Sequence, residues 1–131
     1  MSKKMSKETN ALNWFEISVS DILRATKFYE TIFDVKMDAM EMMGMKMASF
    51  PYDGAKGTVG GALVQSKMHH PSATGAVIYL NANPNLDVVL KRIEKAGGKI
   101  NMPKTLIDKN IGYMAFFTDT EGNNIGLHSN E

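Results

Sequence analysis

Glu16 and His128 are the two side chains of this chain best suited to chemistry. Each sits in a run of alternating polarity, Trp14-Phe15-Glu16-Ile17-Ser18 and Asn124-Ile125-Gly126-Leu127-His128. Each therefore shares a strand face with polar or aromatic neighbours. A carboxylate facing an imidazole fixes the ring's tautomer and favours its charged form, which suits proton transfer or a grip on a polar ligand. The same pair serves equally as a structural hydrogen bond between two buried polar groups. Glu16 and His128 are the catalytic candidates. Trp14 and Tyr79 offer flat faces, Asn81 an amide, and Gly61 and Gly126 leave space beside them, so these five are the ligand-binding candidates. A metal held by Glu16, His128 and Tyr79 would have only two good ligands, so no metal and no other cofactor is expected. His69 and His70 are adjacent, and neighbours on an extended chain point apart, which reads as a solvated linker. No Ser-His-Asp arrangement, phosphate-binding loop or GxGxxG fingerprint is legible.

The elements that must carry these residues follow from periodicity. Leu12 to Val19 alternates as a strand, with Phe15, Ile17 and Val19 on one face and Trp14, Glu16 and Ser18 on the other. Ser20 or Asp21 caps a helix whose stripe is Ile22, Ala25, Phe28, Tyr29 and Ile32, and Asp34 ends it. A methionine-rich hairpin changes parity at Met43-Gly44, where the turn belongs, and Gly60 to Val64 reads as a short strand. The polar stretch Lys67 to Thr74 links two halves. Beyond it come a strand over Ala76 to Ala82, a helix over Leu86 to Ala96 stopped by Gly97-Gly98, strands over 99–106 and 112–118, and the closing strand. Val19 falls on Ala82, Leu23 on Leu86, Phe33 on Ala96 and Lys36 on Lys99 without a gap. The order strand, helix, three strands thus occurs twice, which predicts an α+β fold of two βαβββ modules, about 12–66 and 75–129, in a single domain over 12–131. Residues 1–11 read as a loose tail.

The polar faces of the first and last strands are either solvated or the wall of a cavity. Aromatics beside a carboxylate, an imidazole and an amide favour the cavity. The methionines from Met40 to Met47 suit adaptable packing in a core or dimer contact.

Composition narrows the partners. Lys+Arg 15 against Asp+Glu 14 leaves the chain near neutral with no basic stripe, so neither nucleic acid nor an anionic membrane is expected as a partner. No cysteine is present, which excludes thiolate chemistry and fits a reducing compartment. Neither an apolar leader nor a membrane-spanning run is present, so a soluble cytoplasmic protein is expected.

Trp14-Phe15-Glu16-Ile17-Ser18-Val19-Ser20-Asp21, Ala25 and Phe28-Tyr29 resemble the opening of vicinal-oxygen-chelate proteins, the glyoxalase/bleomycin-resistance/dioxygenase superfamily. Gly97-Gly98-Lys99, Pro103, Gly112-Tyr113 and Asp119-Thr120-Glu121-Gly122-Asn123-Asn124-Ile125-Gly126-Leu127 match its second half. The resemblance covers residues 12–129 and implies a cupped mixed sheet, often completed in a homodimer. It also implies metal-ligand positions on the first and last strands of each module, which here are Trp14, Val77, Gly126 and either Gly61 or Ala62. None of these can ligate through its side chain, and the chain looks most like metal-free glyoxalase-like members that begin Trp-Phe-Glu and end Ile-Gly-Leu-His. The function so implied is binding of a small organic molecule in the cup. The alternative is a lyase or isomerase of glyoxalase type using Glu16 and His128 as acid and base or as an atypical metal site.

Overall fold

The computed structural model describes residues 2–131. The first half runs β1 (Trp14–Ser18), α1 (Ile22–Phe33), β2 (Asp38–Met42), β3 (Met45–Ser49) and β4 (Gly60–Gln65), with a short 3₁₀ turn at Gly54–Lys56. The second runs β5 (Tyr79–Asn81), α2 (Asp87–Ala96), β6 (Lys99–Asp108), β7 (Gly112–Thr118) and β8 (Asn124–Ser129). Each half is the expected βαβββ module. Both first strands are shorter than alternation suggests. In the second module the register with β8 runs only from Tyr79 to Asn81, with the Ile78 carbonyl accepting the Gly126 N–H just before it.

The two sheets share one permutation, β1-β4-β3-β2 and β5-β8-β7-β6, with the first pair parallel and the others antiparallel. The first and last strand of each module therefore lie side by side, and β1 and β5 are edges. The methionine hairpin turns at Met43-Gly44, both with positive φ, and pairs Met42 with Met45.

One face of each sheet packs on the helices. Ile17, Val19, Ala48 and Leu63 of the first sheet and Leu80, Ala115, Phe117, Ile125 and Leu127 of the second share a core with Ala25, Phe28, Tyr29 and Ile32 of α1 and with Leu86, Val89, Leu90 and Ile93. Phe117 lies against Phe28 and Tyr29 across the modules. These residues form one continuous core, because α1 and α2 also touch each other. A smaller cluster on the opposite face of the first sheet gathers Met47, Ala62 and Val64 under Trp14 and Met45. No helix among the described residues is long and apolar enough to cross a membrane.

The turn between β7 and β8 locks the two modules together. Asp21 caps α1 by accepting from the N–H groups of Leu23 and Arg24, each at 3.1 Å. Glu121, from the other module, accepts from the backbone N–H of Ser20 at 2.9 Å and of Asp21 at 3.0 Å. It also takes a bidentate grip from Arg24, at 2.7 and 2.9 Å. Asn123 donates to the Ser18 carbonyl at 2.8 Å. Buried Tyr29 donates to Asp119 at 2.7 Å. Burial, with the nearby Asp119 charge and its hydrogen bond, pushes the Tyr29 phenol well above its ordinary value.

Glu121 makes this latch acid-sensitive. Burial alone would raise its pKa, but the hydrogen bonds from Arg24, Thr120 and the N–H groups of Asp21 and Ser20 outweigh it and hold the carboxyl at about 2. The folded value lies below the ordinary 4.5, so this stability is fully present above pH 4.5 and drains away as pH falls toward 2. The Glu121 side chain is inaccessible, whereas Arg24 is half exposed. Allowing for solvent screening at Arg24, the expected loss is about 2 kcal/mol. Glu121→Gln should flatten this part of the acid unfolding profile, measured as urea midpoint against pH.

Candidate ligand site

Parallel pairing of β1 with β4 sets Trp14 beside Gly60, Glu16 beside Ala62 and Ser18 beside Val64. These residues form the face of the first sheet turned away from the helices. Because Gly60 has no side chain, the Tyr52 ring lies over it: an added Cβ would sit 2.4 Å from the ring. Tyr52 then meets Trp14 edge to face, with centroids 5.5 Å apart and planes at 73°.

Glu16 lies at the foot of this aromatic corner and is held at both oxygens. The Trp14 indole N–H donates to Oε2 at 3.2 Å, and His69 Nε2 lies 2.8 Å from Oε1. A carboxylate only accepts, so Nε2 carries the hydrogen. His69 Nδ1 lies 2.7 Å from the Ser66 hydroxyl, which also accepts the Met68 N–H at 3.0 Å. The Ser66 hydroxyl thus anchors the far side of the ring while Nε2 reaches Glu16. His69 is 20% exposed and Glu16 34%, so the imidazole is shielded while the carboxylate still faces solvent.

This placement corrects the expectation for the linker. His69 is the partner of Glu16 and not a solvated residue. Ser66 follows directly on β4, and the turn from Ser66 to His69 swings the imidazole back over β1. The signal available in the sequence was a Ser and a His three apart just past a strand that pairs with the one bearing Glu16.

The second sheet carries the remaining candidates separately. Tyr79 lies beside Gly126 and Asn81 beside His128. The Tyr79 ring occupies the space over Gly126, where an added Cβ would come within 2.6 Å, and leans on Phe116 at 5.5 Å. His128 Nε2 donates to the Ile111 carbonyl at 2.8 Å. The Asn81 side-chain oxygen accepts from the Asn83 backbone and amide, both at 2.9 Å. Within one chain Glu16 and His128 therefore do not pair; each has its own local partner. Gly61 is also displaced from its expected role. The Phe15 ring packs where its Cβ would be, so Gly61 belongs to the helix side of the sheet.

A separate cleft of about 1060 Å³ opens among Phe15, Phe33, Phe50, Val77, Tyr79 and Arg92. Trp14, Glu16 and His128 do not line it. It has volume and apolar walls, whereas the Trp14 corner has the carboxylate and the imidazole.

A family model described as the Glyoxalase/Bleomycin resistance protein/Dioxygenase superfamily matches residues 11–127. The chain belongs to this superfamily. Solved structures share its fold at low identity. A glyoxylase/bleomycin resistance protein/dioxygenase domain from Frankia sp. EAN1pec aligns with TM-score 0.70 and 15% identity, covering 95% of this chain and 100% of that one. A hypothetical protein from S. aureus aligns with TM-score 0.64 and 21% identity, covering 95% and 99%. A fosfomycin resistance protein from Listeria monocytogenes aligns with TM-score 0.61 and 18% identity, covering 92% and 90%. No curated protein sequence matches the chain.

The metal that superfamily membership implies does not fit these residues. At the positions named above, Gly126 is roofed by the Tyr79 ring and Gly61 by the Phe15 ring. Trp14 donates its only polar hydrogen to Glu16. Among the described residues no cluster of three or more His, Asp or Glu could hold an ion.

Proposed function

We propose that this superfamily member binds a small organic molecule at the Trp14–Tyr52–Glu16 corner, without a metal. The observation that carries the proposal is Glu16, a solvent-facing carboxylate oriented by two donors beside two aromatic rings. A ligand meeting it finds flat apolar area and one fixed acceptor, the composition of a recognition site. A second copy of the chain completes the cup. The outer edges of β1 and β5 carry no strand partner in either sheet, which supports docking of a second copy there.

The rival reading, a lyase or isomerase of glyoxalase type, draws support from the Ser66–His69–Glu16 chain, which offers a proton path to the carboxylate. In that reading Glu16→Gln and His69→Ala both abolish turnover, whereas a His128 role requires His128→Ala to do so.

The test is a small-molecule library screened by thermal shift in the presence of a chelator. A ligand at roughly a hundredfold excess over its Kd should stabilise the fold by about 2.7 kcal/mol, on the order of 10 °C in Tm. Trp14→Ala should erase that shift. Stabilisation that vanishes on chelation, or persists in Trp14→Ala, would overturn the proposal.

A further inference from the structure

The same corner specifies a ligand class, an inference that rests on the binding reading above. Two ring planes meet at 73°. Tyr52 is 50% exposed, and the Glu16 carboxylate is tied to the edge of the Trp14 indole. Aromatic faces carry negative electrostatic potential, so two rings beside a carboxylate attract positive charge. Nothing on the sheet face competes for that role. Beside Trp14 and Glu16, the strand positions on this face are small, apolar or acidic, from Ser18, Ala62 and Val64 to Met45, Met47 and Asp38, with no lysine or arginine. Lys46 alternates to the other side. His69 holds one Glu16 oxygen and leaves the carboxylate 34% exposed.

The geometry points to a site for a methylated ammonium group. Each Glu16 oxygen already accepts one protein hydrogen bond, so the carboxylate acts here by charge more than by directional bonding. The adjoining wall of Met45, Met47, Ala62 and Val64 is apolar. A weakly hydrated cation clad in methyl groups loses little by leaving water for such a surface, whereas a compact primary ammonium would forfeit strong hydration.

The chain has a single tryptophan, Trp14, so fluorescence excited at the red edge, where its four tyrosines do not absorb, reports this site. Choline and a short peptide bearing trimethyllysine are the two probes, and they distinguish a free small molecule from a modified protein tail. Either should give a saturable fluorescence change. Dimethylbutanol, in which carbon replaces the choline nitrogen, should give none. Glu16→Gln and Tyr52→Leu, both surface changes whose folding is checked by Tm, should each weaken binding by about tenfold. A response to dimethylbutanol equal to that of choline, or no saturable response to either cation, would overturn the assignment. If the cations fail while a neutral library compound still gives a Trp14-dependent thermal shift, the binding reading stands and only the ligand class falls.

Discussion

Asp119→Ala is expected to lower stability by about 3–5 kcal/mol, a large part of the reserve of a domain this size. Asp119 is 4% exposed, and its two oxygens accept four hydrogen bonds. Oδ1 takes the N–H groups of Glu121 and Asn123, while Oδ2 takes the Tyr29 hydroxyl and the Asn123 amide. Removing the acceptor strands four donors, three of them on buried residues, and each stranded buried donor carries the cost of its lost water. Asparagine does not rescue the site, because its NH₂ would face two donors. Tyr29→Phe strands nothing on the tyrosine side and should cost only about 1–2 kcal/mol. Urea unfolding of the three variants gives the ranking. An Asp119→Asn protein as stable as wild type would show that the four-way bond is not what joins the modules.

Gly112→Ala should cost about 2–4 kcal/mol, for reasons in the backbone. Gly112 has φ +109°, a conformation side chains rarely adopt, and an added Cβ would lie 2.4 Å from the Ser129 carbonyl oxygen. Backbone on both sides means neither partner gives way cheaply. The peptide that would shift also contains the Ile111 carbonyl that holds His128. The variant should therefore lose stability and release the His128 ring together, visible as a change in the imidazole NMR signals. A destabilised protein with unaltered His128 signals would separate the two effects.

The fold was legible because its signals are local and repeated. Alternation in β1, the stripe of α1, the parity break at Met43-Gly44 and the gapless match between halves each needed only neighbouring residues. The site was legible in part. Alternation placed Trp14 with Glu16 and Tyr79 with Asn81 on the correct faces, but it carries no information about which loops fold over a face. Tyr52 and His69 both come from segments outside the strands, one laid over Gly60 and the other turned back by Ser66. The expected Glu16–His128 pair is not formed within one chain for a related reason. The two residues belong to different sheets, and single-strand parity cannot say whether sheets face one another. Gly61 failed through parity itself, since it is register partner to Phe15 and not to Trp14.

The most direct measurement is a ¹⁵N NMR titration with the best ligand from the chelator-treated screen. The chain has one indole N–H, that of Trp14, which donates to Glu16 and should report any ligand in the corner. The expected result is a large shift of that single indole signal, accompanied by His69, Tyr52 and Ala62, at metal-free conditions. Shifts confined to Val77, Val88 and Arg92 would place the ligand in the inter-module cleft and contradict the assignment of the Trp14 corner as the binding site.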